Sequence, residues 1–260
     1  MLKSNQQFKG KETFMDILVN LEKLNSHVRK VLVPFSQAMI ALHGDNLKSI
    51  SLYGSAVGED FIPKKSNINL LLVMKKIDPP DLKMSLKLIN QGRKKGIVPL
   101  LLTVEHMKSS TDTFPVEFLE MKDNYVLVYG KDILGELEVN SRNLRHQCEQ
   151  QLKGGLIRLY QVYLEIGLKE KRIRSLLINS LTSFNPIFRS LLRLKGKALP
   201  IKKRDVIGGL EREFAVNGAI FLKVLEMKEG RKVEDNLEKL FGDYMEEVEK
   251  LCIICDRMEM

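Results

Sequence analysis

Between Ser49 and Met74 the chain reads SISLYGSAVGEDFIPKKSNINLLLVM. Two apolar runs, 50–53 and 68–74, flank a turn that opens on Gly54-Ser55 and closes on Lys64-Lys65-Ser66-Asn67. Short apolar runs bounded by Gly, Pro and Ser predict buried strands. Gly54 and Ser55 then end the first strand where a short helix can begin, and unpaired backbone N–H groups beside a hydroxyl make a seat for phosphate. Lys64 and Lys65 add positive charge. Asn67 and Asn69 open the second strand with one residue between them, so their side chains share a face. A phosphate seat beside a same-face polar pair outlines a phosphoryl-transfer site, where phosphates are held, charge is neutralised and a nucleophile is aligned.

This stretch resembles the nucleotidyltransferase superfamily that includes DNA polymerase beta and the aminoglycoside nucleotidyltransferases. The family signature is an apolar strand, Gly-Ser, about ten residues, then Asp-x-Asp opening the next strand. Ser66-Asn67-Ile68-Asn69-Leu70 stands where Ser-Asp-Ile-Asp-Leu is expected, so both aspartates are asparagines. A second match runs from Phe114 to Lys122 and on through Val126–Leu134 (VLVYGKDIL), similar to a later strand and the LYG-x-D segment of bacterial members. The resemblance covers residues 10–135 best. It implies transfer of a nucleotidyl group from a nucleoside triphosphate, ATP or another, to a hydroxyl. In that chemistry Mg²⁺ is held by the Asp-x-Asp pair and a third carboxylate activates the acceptor. Asn67 and Asn69 occupy the metal-ligand positions. Glu117 is the first candidate for the third carboxylate and Glu120 the second; Glu117 reads equally as a surface carboxylate on an edge strand. Gly54, Ser55, Lys64 and Lys65 would hold the triphosphate.

Asparagine keeps an oxygen donor but loses the formal charge. Removing one group that stabilises the transition state costs about 10²–10³ in rate. No residue is therefore assigned as a metal ligand, and the sequence points to a nucleotide-binding, catalytically impaired protein. Two alternatives stand beside it. One is an active Mg²⁺-dependent transferase whose metal site is rebuilt from Glu59, Asp60, Glu105 or Glu117. The other is a non-catalytic scaffold or interaction module.

The positioning elements follow from periodicity. Phe14, Ile17, Leu18, Leu21, Leu24 and Val28 predict a helix from Thr13, and Pro34 ends or kinks it before a second piece at Phe35–Leu42. His43-Gly44 reads as a helix end leading into the first strand. Asp78-Pro79-Pro80-Asp81 starts a helix that QGRKKG (91–96) closes, and residues 98–103 form a third strand. Phe114–Met121 reads as a further strand. Beyond Asp132 strand signals vanish. Residues 134–168 predict a long helix or a pair bent at Gly154-Gly155, 169–194 a helix interrupted at Asn185-Pro186, and 203–225 and 233–260 two more. The expected fold is α+β: a nucleotidyltransferase-like mixed sheet with flanking helices over residues 1–135, then an all-α helical bundle over 136–260.

The 260 residues carry a net charge of +9, which favours polyanions: a nucleotide, nucleic acid or an acidic protein. KEKRIR (169–174) and KGKALPIKKR (195–204) are the densest basic tracts, and with no tryptophan and few aromatics nearby stacking on single strands is not supported. No apolar run reaches membrane-spanning length, and the basic start lacks an apolar signal region, so the expectation is a cytoplasmic protein without a membrane partner. Three cysteines are too few for a disulfide framework, and Cys252-x-x-Cys255 reads as core packing.

Overall fold

The two apolar runs around Gly54 form neighbouring strands, β1 (Leu47–Tyr53) and β2 (Ile68–Met74). They are seen in a computed structural model that describes residues 17–58, 61–63, 66–200, 202–233 and 236–259. With β3 (Ile97–Thr103) and β4 (Tyr125–Gly130) they make a sheet of order β3-β2-β1-β4. β1 runs antiparallel to β2 and β4, while β2 and β3 are parallel. The parallel pair requires a crossover. It is supplied by helix α2 (Pro79–Arg93), whose N-terminus is capped by the Asp78 side chain accepting from Asp81 N–H, with proline in the first turn.

The described chain divides into two units, one taking the chain up to Ser109 together with Glu120–Leu137, the other Ser110–Leu119 together with Glu138 onward. In the sheet unit, Ile50, Leu52, Leu70 and Leu72 pack with Val28, Leu32 and Phe35 of α1 (Ser26–His43) in one apolar core. α1 runs unbroken through Pro34, where a break or kink was expected. Pro34 and Lys30 are both exposed, so water can take the Lys30 carbonyl that the proline ring leaves without its helical partner.

Of the helix expected from Thr13, that residue and Phe14 lie outside the described residues. The described part takes another path. Val19 N–H donates to Val128 O at 2.8 Å and the Asn20 amide to Leu127 O at 3.0 Å, so this segment runs along β4. Asn20 then turns the chain through a left-handed conformation, φ 57°, which asparagine tolerates. Leu18 and Leu24 are buried as the periodicity required, by extended chain and a 3₁₀ turn instead of a helix.

In the segment 114–121, expected as a strand, residues 115–121 belong to helix α4 (Pro115–Asp123), which follows α3 (Val104–Ser109). Pro115 takes the first helical position, and Phe118 N–H bonds to Phe114 O at 3.1 Å.

The second unit is built on α5 (Ser141–Ile166), α6 (Glu170–Leu194), α7 (Lys203–Phe214), α8 (Gly218–Lys228) and α9 (Leu237–Asp256). α6 packs against each of the other four. A chain of rings, Phe184–Phe188–Phe221–Tyr244, runs through its core, and the buried Tyr244 hydroxyl meets Ser180 Oγ at 3.1 Å. α5 runs through Gly154-Gly155 as one unbroken helix. A Cβ on Gly155 would stand 2.4 Å from the Phe184 ring, so this glycine admits the ring against the helix. Pro186 lies within α6 without ending it, and the helix expected over 203–225 is two, divided at Ala215 in a left-handed conformation. Cys148, Cys252 and Cys255 are free thiols buried in this core. No described helix is long and apolar enough to cross a membrane.

Candidate functional site

Gly54 ends β1 with φ +78°, in the left-handed region that favours glycine. Its N–H donates to Asn124 O at 2.9 Å, and the Asn124 amide donates back to Gly54 O at 3.0 Å, which fixes the turn to the start of β4. A Cβ on Gly54 would lie 3.3 Å from Asn69 Nδ2. The structure thus brings Gly54 and Asn69 side by side. Ser55 follows in a single 3₁₀ turn, Gly54–Ala56, exposed at its crest while Ala56 anchors the turn in the core.

Ladder register sets the neighbours of Asn69. It pairs with Tyr53 on one side and Val98 on the other, and Tyr53 pairs with Tyr125. Paired residues share a face, so one row across the sheet reads Val98, Asn69, Tyr53, Tyr125. Leu100 follows Val98 on the same face of β3. The strand beside Asn69 therefore offers apolar side chains, Val98 and Leu100, on that face. Burial raises the Tyr53 phenol above its ordinary range, which keeps it a neutral hydrogen-bonding group.

Asn67 is exposed, just before β2. The turn ahead of it is closed by Ser66, whose N–H donates to Ile62 O at 2.8 Å and whose Oγ accepts from Ile62 N–H at 3.1 Å. Asn67 lines a cavity of about 470 Å³ together with His27, Phe61, Arg93, Lys94 and Lys95. The His27 and Phe61 rings lie 5.9 Å apart. The three cations stand at the end of α2, where the helix dipole favours positive charge. Gly92 holds that end down: a Cβ there would be 2.8 Å from the Phe35 ring of α1. This cluster was read from sequence only as the close of a helix. Its signal was three consecutive cations between two glycines, Gly92 and Gly96.

Lys64 and Lys65, the phosphate-holding candidates of the turn, lie outside the described residues, as do Glu59 and Asp60. Glu117 is on helix α4 instead of a strand. Its carboxylate accepts from Gln147 Nε2 at 2.7 Å and Gln151 Nε2 at 3.3 Å, while Gln147 Oε1 accepts from Val116 N–H at 2.7 Å. Glu120, on the same helix, belongs to the sheet unit.

The VLVYGKD segment has a structural use. Gly130 has φ +77°, and a Cβ there would be 2.0 Å from Lys48 O, so only glycine lets β4 close on β1. Asp132 then accepts from Gly135 N–H at 2.9 Å and from the Tyr125 hydroxyl at 2.8 Å. Burial and this bond push the Tyr125 phenol up to about 12.

The residues do not suit the Mg²⁺ ions that the resemblance implies. Mg²⁺ sites are built on carboxylates and substrate phosphates, whereas both positions here are neutral amides. Among the described residues no three His, Cys, Asp or Glu side chains gather as a ligand set.

The mixed sheet with its flanking helices and a helical second part define an α+β nucleotidyltransferase fold. Among solved structures the chain is similar to spectinomycin adenyltransferase AAD(9) from Enterococcus faecialis, solved with ATP and spectinomycin, with a TM-score of 0.54 at 10% identity over 84% of this chain and 98% of that one. No protein-family model matches the chain, and no curated protein sequence does.

Proposed function

We propose that this chain binds a nucleoside triphosphate at the Gly54-Ser55 turn and has lost most or all capacity to transfer its nucleotidyl group. The observation that carries the reading is the pair of amides, Asn67 and Asn69, at the positions where the fold's chemistry calls for carboxylates, with Asn69 against Gly54. The similarity to a protein solved with ATP supports nucleotide as the ligand. The replacement of charge supports the loss of turnover. An active site of this kind binds cations through carboxylates and phosphate through the cations. Here amide groups can donate directly to phosphate oxygens, and Arg93, Lys94 and Lys95 beside Asn67 supply positive charge from the protein itself.

The reading is tested by Asn67→Asp with Asn69→Asp. By calorimetry the native protein is expected to bind ATP no more tightly with Mn²⁺ than in excess chelator, whereas the double variant binds ATP at least tenfold more tightly with Mn²⁺, because restored carboxylates hold the nucleotide-bound cation. Native protein that binds ATP at least tenfold more tightly with Mn²⁺ and releases pyrophosphate is an active transferase, and the reading fails.

A further inference from the structure

A second cavity of about 720 Å³ opens at the other end of the same sheet. It lies where β1 begins and β2, β3 and β4 end, whereas Gly54 and Asn69 lie where β1 ends and β2 begins. Six residues of strand at ~3.3 Å each put Lys48 roughly 20 Å from Gly54. The cavity is lined by Lys48, Lys75, Lys108 and Lys131, by Val104 and Ile133, and by Glu105, Glu136 and Ser109. Its volume falls within the ~300–1,000 Å³ of small-molecule sites.

Charge and order distinguish it from an ordinary surface hollow. Four lysines face two glutamates, and Lys131 is already paired with Glu136 at 3.0 Å. Lys48 and Lys75 have no acidic partner among the described residues. Their backbones are fixed: Lys48 O accepts from Lys131 N–H at 3.2 Å, and Lys75 N–H donates to Asn46 O at 2.7 Å. Ile133 is buried and Val104 half-buried, and lysine stems add methylenes to the wall while their ammonium groups reach outward.

We propose that this cavity binds a small anionic molecule with an apolar body, its acid group on Lys48 and Lys75 and its apolar part against Val104 and Ile133. Unpaired cations at the rim of an apolar hollow select for that combination. A purely ionic polyphosphate leaves the walls uncovered, and a neutral apolar molecule leaves the ammonium groups without a partner. The inference does not depend on the nucleotide reading, since no residue is shared between the two sites.

The test is calorimetric titration of the full chain with naphthyl phosphate, with naphthol and tripolyphosphate as the neutral and purely ionic controls. In protein carrying Arg93→Ala, Lys94→Ala and Lys95→Ala, which removes the cations beside Asn67, naphthyl phosphate is expected to bind at one site, at least tenfold more tightly than either control. Lys48→Glu with Lys75→Glu should weaken it at least tenfold. Ser109→Trp, an exposed position on the cavity wall, should block it, with circular dichroism unchanged in both variants. The triple variant Arg93→Ala, Lys94→Ala, Lys95→Ala should bind it as the native protein does. Absence of binding, equal binding of tripolyphosphate by the triple variant, undiminished binding by folded Lys48→Glu/Lys75→Glu, or loss of naphthyl phosphate binding in the triple variant would each overturn the proposal.

Discussion

Gly54 carries two constraints at once, a left-handed backbone and a neighbour, Asn69 Nδ2, at the limit of contact for any added carbon. Alanine at a left-handed position costs about 1–2 kcal/mol, and the added methyl would push the Asn69 amide out of place. Gly54→Ala is therefore expected to lower stability by about that amount in urea unfolding and to weaken ATP binding at least tenfold by calorimetry. Unchanged ATP affinity would separate Gly54 from the nucleotide. At this scale the sequence was informative where spacing alone sets geometry. Gly-Ser after an apolar run marks the turn, and the apolar run that follows marks the strand on which Asn69 stands beside Gly54. It was uninformative where neighbours come from pairing. That Val98 and Tyr53 flank Asn69 depends on strand order and register, which no local pattern states. The Arg93-Lys94-Lys95 cluster reaches Asn67 only because α2 returns the chain to the start of β3.

Elements were legible where burial admits one explanation. The run 68–74 is apolar on both faces apart from Asn69, too short for an ordinary helix, and is β2 with those bounds. Two segments went the other way for identifiable reasons. Val116 and Phe118 alternate with polar neighbours as in a strand, but Pro115 suits a first helical turn and the segment folds as α4. Leu18, Leu21 and Leu24 keep helical spacing, yet Asn20 diverts the chain beside β4, and extended chain and a 3₁₀ turn bury Leu18 and Leu24 and leave Leu21 half-buried. Gly154-Gly155 shows the converse, a pair expected to divide a helix that instead runs through it, with Gly155 serving packing. Alanine at 155 would force its methyl into the Phe184 ring, and overpacking a core costs about 1–3 kcal/mol. Gly155→Ala should lower the urea midpoint accordingly, while Gly154→Ala, with open space around it, should stabilise α5 slightly through helix propensity.

Across the whole molecule charge is the dominant property. The net charge of +9 makes binding of any polyanion sensitive to salt, so nucleotide affinity should be compared at fixed ionic strength. Some of that charge works internally. Lys153, with Asp256 and Arg145, holds the Glu149 carboxyl down at about 2 from an ordinary 4.5. Lys153 also reaches Asp256 at 3.3 Å, and Arg145 donates to Cys255 O at 3.1 Å, tying α5 to the end of α9. A carboxyl whose folded pKa is depressed contributes stability that is complete above its unfolded value and is lost as pH falls through the folded one. The ion pairs should therefore weaken between pH 4.5 and about 2. Glu149→Gln should reduce the fall in urea midpoint over that interval, and an unchanged acid profile would assign the loss to other carboxylates.

Phosphate held by protein groups in place of metal is the property that sets this site apart from a metal-dependent transferase. Calorimetric titration with ATP, in Mg²⁺ and again in excess chelator, measures this directly. Dissociation constants that agree within about threefold, with no pyrophosphate released, are the predicted result. Binding that disappears with the chelator and returns with Mg²⁺ would contradict it.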